Sequence, residues 1–110
     1  MTSSKTLLRL LVLAGLLAIA ACATTGPPVQ EMSDARQAIA AAREAGAANL
    51  AADGLRTAEA RLDAAEAQLN QRMYWDARKL ALGAKESAIA ALLRSRSLRD
   101  ADPAADGTPH

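Results

Sequence analysis

The fold of this chain is decided by residues 53–70, which read DGLRTAEARLDAAEAQLN, and by residues 75–98, which read WDARKLALGAKESAIAALLRSRSL. Leucine recurs at every seventh position of the first stretch, at Leu55, Leu62 and Leu69. Alanine recurs at the same interval in the second stretch, at Ala77, Ala84 and Ala91. A seven-residue repeat keeps one face of an α-helix turned toward a neighbouring helix. The two stretches therefore predict two helices with apolar faces.

These two helices are expected to form an antiparallel hairpin, because the break from Asn70 to Tyr74 is short. Asp53 is expected to cap the N-terminus of the first of them. Alanine on the facing sides allows the two backbones to approach closely, and its high helix propensity agrees with that packing. Leu62 and Ala84 are expected to lie on the facing sides.

A further amphipathic helix is predicted from Val29 to Ala45, with Met32, Ala35, Ile39 and Ala42 on one face. Gly46 is expected to end it, because glycine adopts the left-handed conformation without steric cost. The predicted fold class is all-α: an N-terminal signal helix, then a short helix and an Ala-rich antiparallel helical hairpin. The hairpin domain is placed at residues 29–99, after a tether at 22–28. Residues 100–110 lack apolar periodicity and contain two prolines, so a disordered tail is expected there.

The first 21 residues have the pattern of a signal peptide. Lys5 and Arg9 give a positive start, and Leu10 to Ala21 form an uncharged apolar run. A run of about a dozen residues is shorter than the ~20 that span a bilayer as a helix. Small residues then precede Cys22, the only cysteine of the chain. Cleavage before or near Cys22 is therefore expected.

The sequence Ile19-Ala20-Ala21-Cys22 resembles the lipobox of bacterial lipoproteins, an aliphatic residue and two small ones before cysteine. The resemblance implies that Cys22 is acylated, palmitate included, and becomes the first residue of the mature protein. It implies a cell-envelope protein anchored to the membrane by lipid. In that family an Asp after the cysteine marks retention at the inner membrane, so Ala23 favours the outer membrane and a periplasm-facing domain. The alternatives are a secreted protein with an Ala-x-Ala-like cut and an uncleaved membrane anchor.

The composition of the mature chain limits its partners and its core. Removal of residues 1–21 from the 110-residue chain leaves 89 residues, 11 basic and 12 acidic. A chain whose basic and acidic residues nearly cancel does not attract nucleic acid, and no nucleic-acid partner is expected. Phenylalanine is absent, and Tyr74 and Trp75 are the only aromatic residues. A thin alanine core and modest stability are expected from a domain of this size.

No arrangement of side chains in the sequence indicates a reaction, so a non-enzyme without cofactor or metal is expected. His110 stands alone at the end of the predicted tail, with no neighbouring ligand for a metal. Glu59 and Asp63 are one helical turn apart, but on a face that is expected to be exposed beside Arg56. Surface ion pairs are expected between residues 56 and 59, 72 and 76, and 76 and 79.

Residues from Pro27 to about Leu92 resemble a family of uncharacterised bacterial envelope proteins, a helical-hairpin domain of unknown function. The likeness lies in Ala35-Arg36…Ala38-Ile39, Gly46-Ala47, Leu55…Ala58…Leu62…Ala65 and Tyr74…Ala77-Arg78…Leu80-Ala81…Ala84…Ala88. It implies a hairpin of the kind found in small lipoproteins and sometimes fused to an OmpA-like, peptidoglycan-binding domain. Arg72-Met73 stands where such domains often have glycine before the turn tyrosine. No OmpA-like domain is recognised in this sequence, so no contact with peptidoglycan is implied.

Two functions are consistent with this sequence. The first is a structural or protein-interaction module, whose thin core leaves room for a helical partner or for self-association. The alternative is a lipoprotein that binds a small ligand or peptide in the groove of the hairpin. Tyr74 and Trp75 are the candidate interaction residues, because exposed aromatics are enriched at interfaces. The competing interpretation, which we favour from the sequence, is that the pair fills the end of the hairpin.

Overall fold

A computed structural model of the chain describes residues 3–102, with the side chains of 3–16 and 26–102. Within this range it contains five helices and no strand, which confirms the all-α class. The helices are α1 (Ser4–Thr25), α2 (Val29–Glu44), α3 (Ala47–Leu50), α4 (Ala52–Asn70) and α5 (Tyr74–Ala101).

Helices α2, α4 and α5 pack together as a three-helix bundle. Arg61 of α4 bonds to the hydroxyl of Ser87 in α5, and Gly54 approaches Ala91, so these two helices run antiparallel. Helix α2 runs parallel to α5, as the ion pairs Arg78–Glu31 and Lys85–Asp34 show. The helix predicted from Val29 to Ala45 is present as α2, one residue shorter, but it packs against both other helices and does not merely precede a two-helix hairpin.

The core of the bundle is built almost entirely from alanine. Among the described residues, its buried apolar members larger than alanine are Met32, Ile39, Leu55 and, at the start of α2, Pro28. Helix α5 contributes a continuous buried face of small residues, namely Ala77, Ala81, Ala84, Ala88, Ala91 and Ser95. The Ser95 hydroxyl donates to the carbonyl oxygen of Ala91 at 2.8 Å, so its burial leaves no unpaired donor. Because alanine has so little surface, this core depends on short distances between the helices.

Helices α4 and α5 approach each other closely at Gly54. A Cβ atom at this position would lie 3.2 Å from the Cβ of Ala91. Glycine inside a helix costs roughly 0.5–1 kcal/mol relative to alanine, so its presence here reflects the tight contact between the two backbones. Close packing of these helices therefore depends on Gly54 as well as on the alanines from which it was predicted.

Gly46 ends α2 as expected. Its φ of 88° is in the left-handed region, and its N–H donates to the carbonyl oxygen of Arg43 at 2.9 Å. The chain then forms the single turn α3 before α4 begins, which the sequence analysis did not predict.

The turn between α4 and α5 has the same left-handed position, but it is occupied by arginine. Arg72 has a φ of 61°, and no other non-glycine residue in the described range has a positive φ. The N–H of Met73 donates to the carbonyl oxygen of Gln68, and that of Arg72 to Leu69, both at 2.9 Å. These two bonds form a Schellman motif, which usually has glycine where Arg72 stands.

We therefore expect Arg72→Gly to stabilise the bundle. An L-residue in the left-handed region costs about 1–2 kcal/mol, part of which the greater freedom of unfolded glycine offsets. The expected net gain in the free energy of unfolding is about 0.5–1 kcal/mol, measured by urea denaturation of the chain from residue 23.

Gln71→Gly is the matched control, because Gln71 has a φ of −89° and gains nothing from glycine. This variant should lose stability. If Arg72→Gly and Gln71→Gly changed the free energy of unfolding equally, the conformation of Arg72 would carry no strain.

Several predicted boundaries were wrong. Asp53 does not cap α4: the helix begins at Ala52 without a side-chain cap, and Asp53 pairs with Arg56 instead. Helix α5 continues to Ala101, so the first residues of the expected tail are helical, while 103–110 lie outside the described residues. Residues 23–25 belong to α1, and the non-helical linker is Gly26–Pro28. Pro28, assigned to the tether, is fully buried at the start of α2.

Candidate interaction surface and lipid-attachment site

The predicted lipid-attachment site lies on α1. The backbone of Cys22 is helical, as is that of Ile19, Ala20 and Ala21, but these side chains are outside the described part of the structure. Earlier on the helix, the large apolar side chains from Leu7 to Leu16 are all more than half exposed. Across residues 3–102, no helix combines the length and apolar character needed to cross a membrane.

Arg78 fixes the linker that follows α1 to the bundle. Its side chain is only 11% exposed, and its Nε donates to the Glu31 carboxylate at 3.1 Å. Its Nη2 donates to the carbonyl oxygen of Gly26 at 3.0 Å. The linker, the start of α2 and the start of α5 therefore meet at one end of the bundle. The turn that carries the aromatic pair lies at that same end.

The two residues of the aromatic pair differ in exposure. Tyr74 is half-buried, whereas Trp75 is 68% exposed on the first turn of α5. The expectation that the pair fills the end of the hairpin is therefore wrong for Trp75. A core poor in large side chains does not bury every aromatic residue available, because Trp75 lies on the side of α5 that faces away from Ala77 and the core.

Trp75 belongs to a row of exposed apolar residues that the sequence analysis missed. We call this row the outer stripe of α5, and it consists of Trp75, Leu82, Ile89 and Leu93. Trp75 and Ala77 are two positions apart, and two residues rotate by about 200° around a helix. The outer stripe therefore faces away from the buried alanines. The seven-residue spacing of Trp75, Leu82 and Ile89 was the sequence signal that could have revealed it.

The charged side chains form ion pairs between helices, in a pattern different from the expected one. Glu59 accepts two hydrogen bonds from Arg43 of α2, at 2.6 and 3.1 Å, and not from Arg56. Arg36 pairs with Glu66 at 3.1 Å. The expected pairs of Asp76 with Arg72 and Lys79 do not form in the described structure. These exposed pairs fix which helix faces which, and each contributes less than about 1 kcal/mol.

The described residues contain no cluster of three or more potential metal ligands, and His110 lies outside them. Of the serines, Ser87 accepts from Arg61 at 2.6 Å and Ser95 bonds to its own helix. A groove of about 580 Å³ lies between α4 and α5 and is lined in part by Arg61, Gln68 and Lys79. It is open to solvent along its length.

Comparison with known protein families, with curated proteins and with solved structures finds no match to this chain. The features of the chain that bear on its function are therefore the lipobox-like sequence and the outer stripe of α5.

Proposed function

We propose that this chain is a lipid-anchored protein of the bacterial envelope whose helical bundle acts as a protein-interaction module and not as an enzyme. The observation that carries the interaction role is the outer stripe of α5. A bundle that buries mostly alanine nevertheless leaves Trp75, Leu82 and Leu93 each more than 40% exposed. A row of large apolar side chains exposed on one face of a helix suits an interaction surface.

The proposed anchor is a lipid on Cys22, in keeping with the lipoproteins that the sequence around it resembles. Lys5 and Arg9 precede the apolar run, and small residues precede the cysteine. The exposed leucines of α1 support this proposal, because a segment without a packing partner in the bundle suits a leader that is removed. More than one acyl chain is needed for stable attachment, which the lipoprotein modification supplies.

The proposed location is the outer membrane, with the bundle facing the periplasm. Ala23 follows the cysteine, so the aspartate that marks inner-membrane retention in lipoproteins is absent. After cleavage, only a few residues would separate the lipid from Gly26, whose carbonyl Arg78 holds against the bundle. The interaction module is therefore proposed to act close to the membrane surface.

The alternative function is the binding of a small ligand in the groove between α4 and α5. The Arg61 guanidinium is the obvious polar group for such a ligand, but it already donates to the carbonyl oxygen of Gly83 and the hydroxyl of Ser87. A ligand would have to displace bonds that join the two helices. The groove therefore favours the interaction role over ligand binding.

Labelling with radioactive palmitate in a bacterial host tests the anchor. The wild-type chain should take up label and fractionate with membranes, whereas Cys22→Ser should take up none and accumulate unprocessed, because serine lacks the thiol that is alkylated. A combined Cys22→Ser and Ser33→Cys variant is the control, since it moves the thiol onto α2 without a lipobox. Equal labelling of the wild type and Cys22→Ser would rule out the proposed anchor.

A further inference from the structure

The outer stripe of α5 is uncovered along its whole length. Its exposed fractions are 68% at Trp75, 44% at Leu82, 38% at Ile89 and 56% at Leu93. From the first to the last of these residues it extends over about 27 Å of helix. Its spacing of seven, seven and four residues is the spacing with which one helix packs along another in a coiled coil. The shape of the surface therefore fits a helix.

Two residues of opposite charge on the same face of α5 indicate which helix can pack against the outer stripe. Lys79 lies between Trp75 and Leu82, and Glu86 lies between Leu82 and Ile89. Neither forms an ion pair within residues 3–102, although charged residues on the sides toward α2 and α4 do. Lys79 is three residues before Leu82, and Glu86 is three residues after Gly83. The two charges are thus placed symmetrically about the bond between residues 82 and 83.

We propose that the outer stripe binds a second copy of this chain, with the two α5 helices antiparallel and a two-fold axis between Leu82 and Gly83. This arrangement places Lys79 of each copy opposite Glu86 of the other, so that two ion pairs flank the centre. A parallel arrangement would place lysine against lysine and glutamate against glutamate, which is unfavourable. The charges therefore select the antiparallel pair.

The same axis also matches the apolar residues by size. Trp75 is seven residues before Leu82, and Ala90 is seven residues after Gly83, so the two lie opposite each other across the interface. Ala90 is exposed and small, and it leaves room for the indole between Ile89 and Leu93 of the second copy. The Leu82 side chains of the two copies meet near the axis. Large residues thus fall opposite small ones, as helix packing requires.

This inference names the partner of the proposed interaction module, and to that extent it rests on the proposed function, but it does not depend on the lipid. In the antiparallel pair the two linkers leave from opposite ends, since each linker is held at the start of α5 by Arg78. A pair with both anchors in one bilayer therefore lies with its helices along the membrane surface.

Charge exchange between full-length chains tests the proposal. Two differently tagged copies are produced together, extracted in mild detergent and purified through one tag, and the amount of the other tag is measured. Wild-type copies should co-purify. Lys79→Glu paired with itself and Glu86→Lys paired with itself should each reduce co-purification about tenfold, because like charges then face each other.

The decisive measurement mixes the two variants. A Lys79→Glu copy with a Glu86→Lys copy restores both ion pairs, and so does the doubly exchanged chain with itself, so both combinations should co-purify as the wild type does. A zero-length carbodiimide crosslink between residues 79 and 86 should occur in the wild-type dimer band. Both positions are exposed, so circular dichroism should report unchanged helix content in every variant.

Three results would overturn the proposal. One is the absence of co-purification between wild-type copies, and another is co-purification that neither single exchange reduces. The third is failure of the mixed variants to restore it. If wild-type copies stay apart while Leu82→Glu abolishes binding of a different protein, self-association is wrong but the interaction module stands. Loss of palmitate label is measured separately, so failure of the anchor is distinguishable from failure of the dimer.

Discussion

Met32→Ala should lower the free energy of unfolding of the bundle by about 2–4 kcal/mol, the usual cost of deleting a large buried apolar side chain. Met32 is 1% exposed and is among the largest fully buried side chains in the described structure. It packs with Ala65 of α4 and Ala81 of α5, and Leu62, Leu69 and Leu80 border this cluster. The facing Ala65 and Ala81 are too short to fill the space that the thioether leaves, so a cavity is expected there unless the bordering leucines change rotamer.

Met73→Ala is the control, because it makes the same substitution at a residue that is 45% exposed in the α4–α5 turn. Its cost should stay within about 0.5 kcal/mol. Urea denaturation of the chain from residue 23, followed by circular dichroism, measures both variants. Equal and small effects would mean that α4 and α5 form the cooperative unit without α2, as a two-helix hairpin would. A large difference would show that α2 is an essential part of the core.

The repeat of leucine and alanine predicted where α4 and α5 lie because it depends only on residues close in sequence. Leu55 and the alanines of α5 are buried as their spacing required. The end of α2 at Gly46 could be predicted in the same way, since a left-handed conformation at a helix end is a local requirement. Local patterns of this kind thus gave the fold class and most helix boundaries.

The position of α2 against the other two helices could not be predicted in the same way. Its position depends on contacts such as Arg78 with Glu31, which are 47 residues apart in the chain. The amphipathic pattern of α2 showed that one face would be buried but not which helices would cover it. The role of Gly54 was hidden for a similar reason, because its function is visible only when Ala91 lies 3.2 Å from the position of a Cβ atom.

The outer stripe was available in the sequence but was overlooked. Trp75 shares its seven-residue register with Leu82 and Ile89, and not with Ala77 and Ala84. Composition alone suggests that a thin core buries its aromatic residues, but the position of Trp75 around the helix axis decides that it is exposed. Cys22 presents the opposite case: its proposed modification is read from four adjacent residues, whose side chains lie outside the described part of the structure.

Ala84→Leu should destabilise the bundle by about 1–3 kcal/mol, because a larger side chain in a tightly packed core forces the helices apart. Ala84 is fully buried in the middle of the small-residue face of α5. At the preceding residue, the carbonyl oxygen of Gly83 accepts a hydrogen bond of 3.2 Å from the guanidinium of Arg61, which joins α4 to α5, so a local separation would also strain this contact. The effect is expected although leucine is more hydrophobic than alanine and nearly as good a helix former.

Ala60→Leu provides the comparison, since it makes the same change at an exposed position in the middle of α4. There the added side chain meets solvent, and the free energy of unfolding should change by less than about 0.5 kcal/mol. The chain from residue 23 is again measured by urea denaturation. If Ala84→Leu raised stability instead, the alanine face would be loosely packed in the single bundle. The small residues of α5 would then be better explained as a second docking surface, and the assignment of partner binding to the outer stripe alone would have to be abandoned.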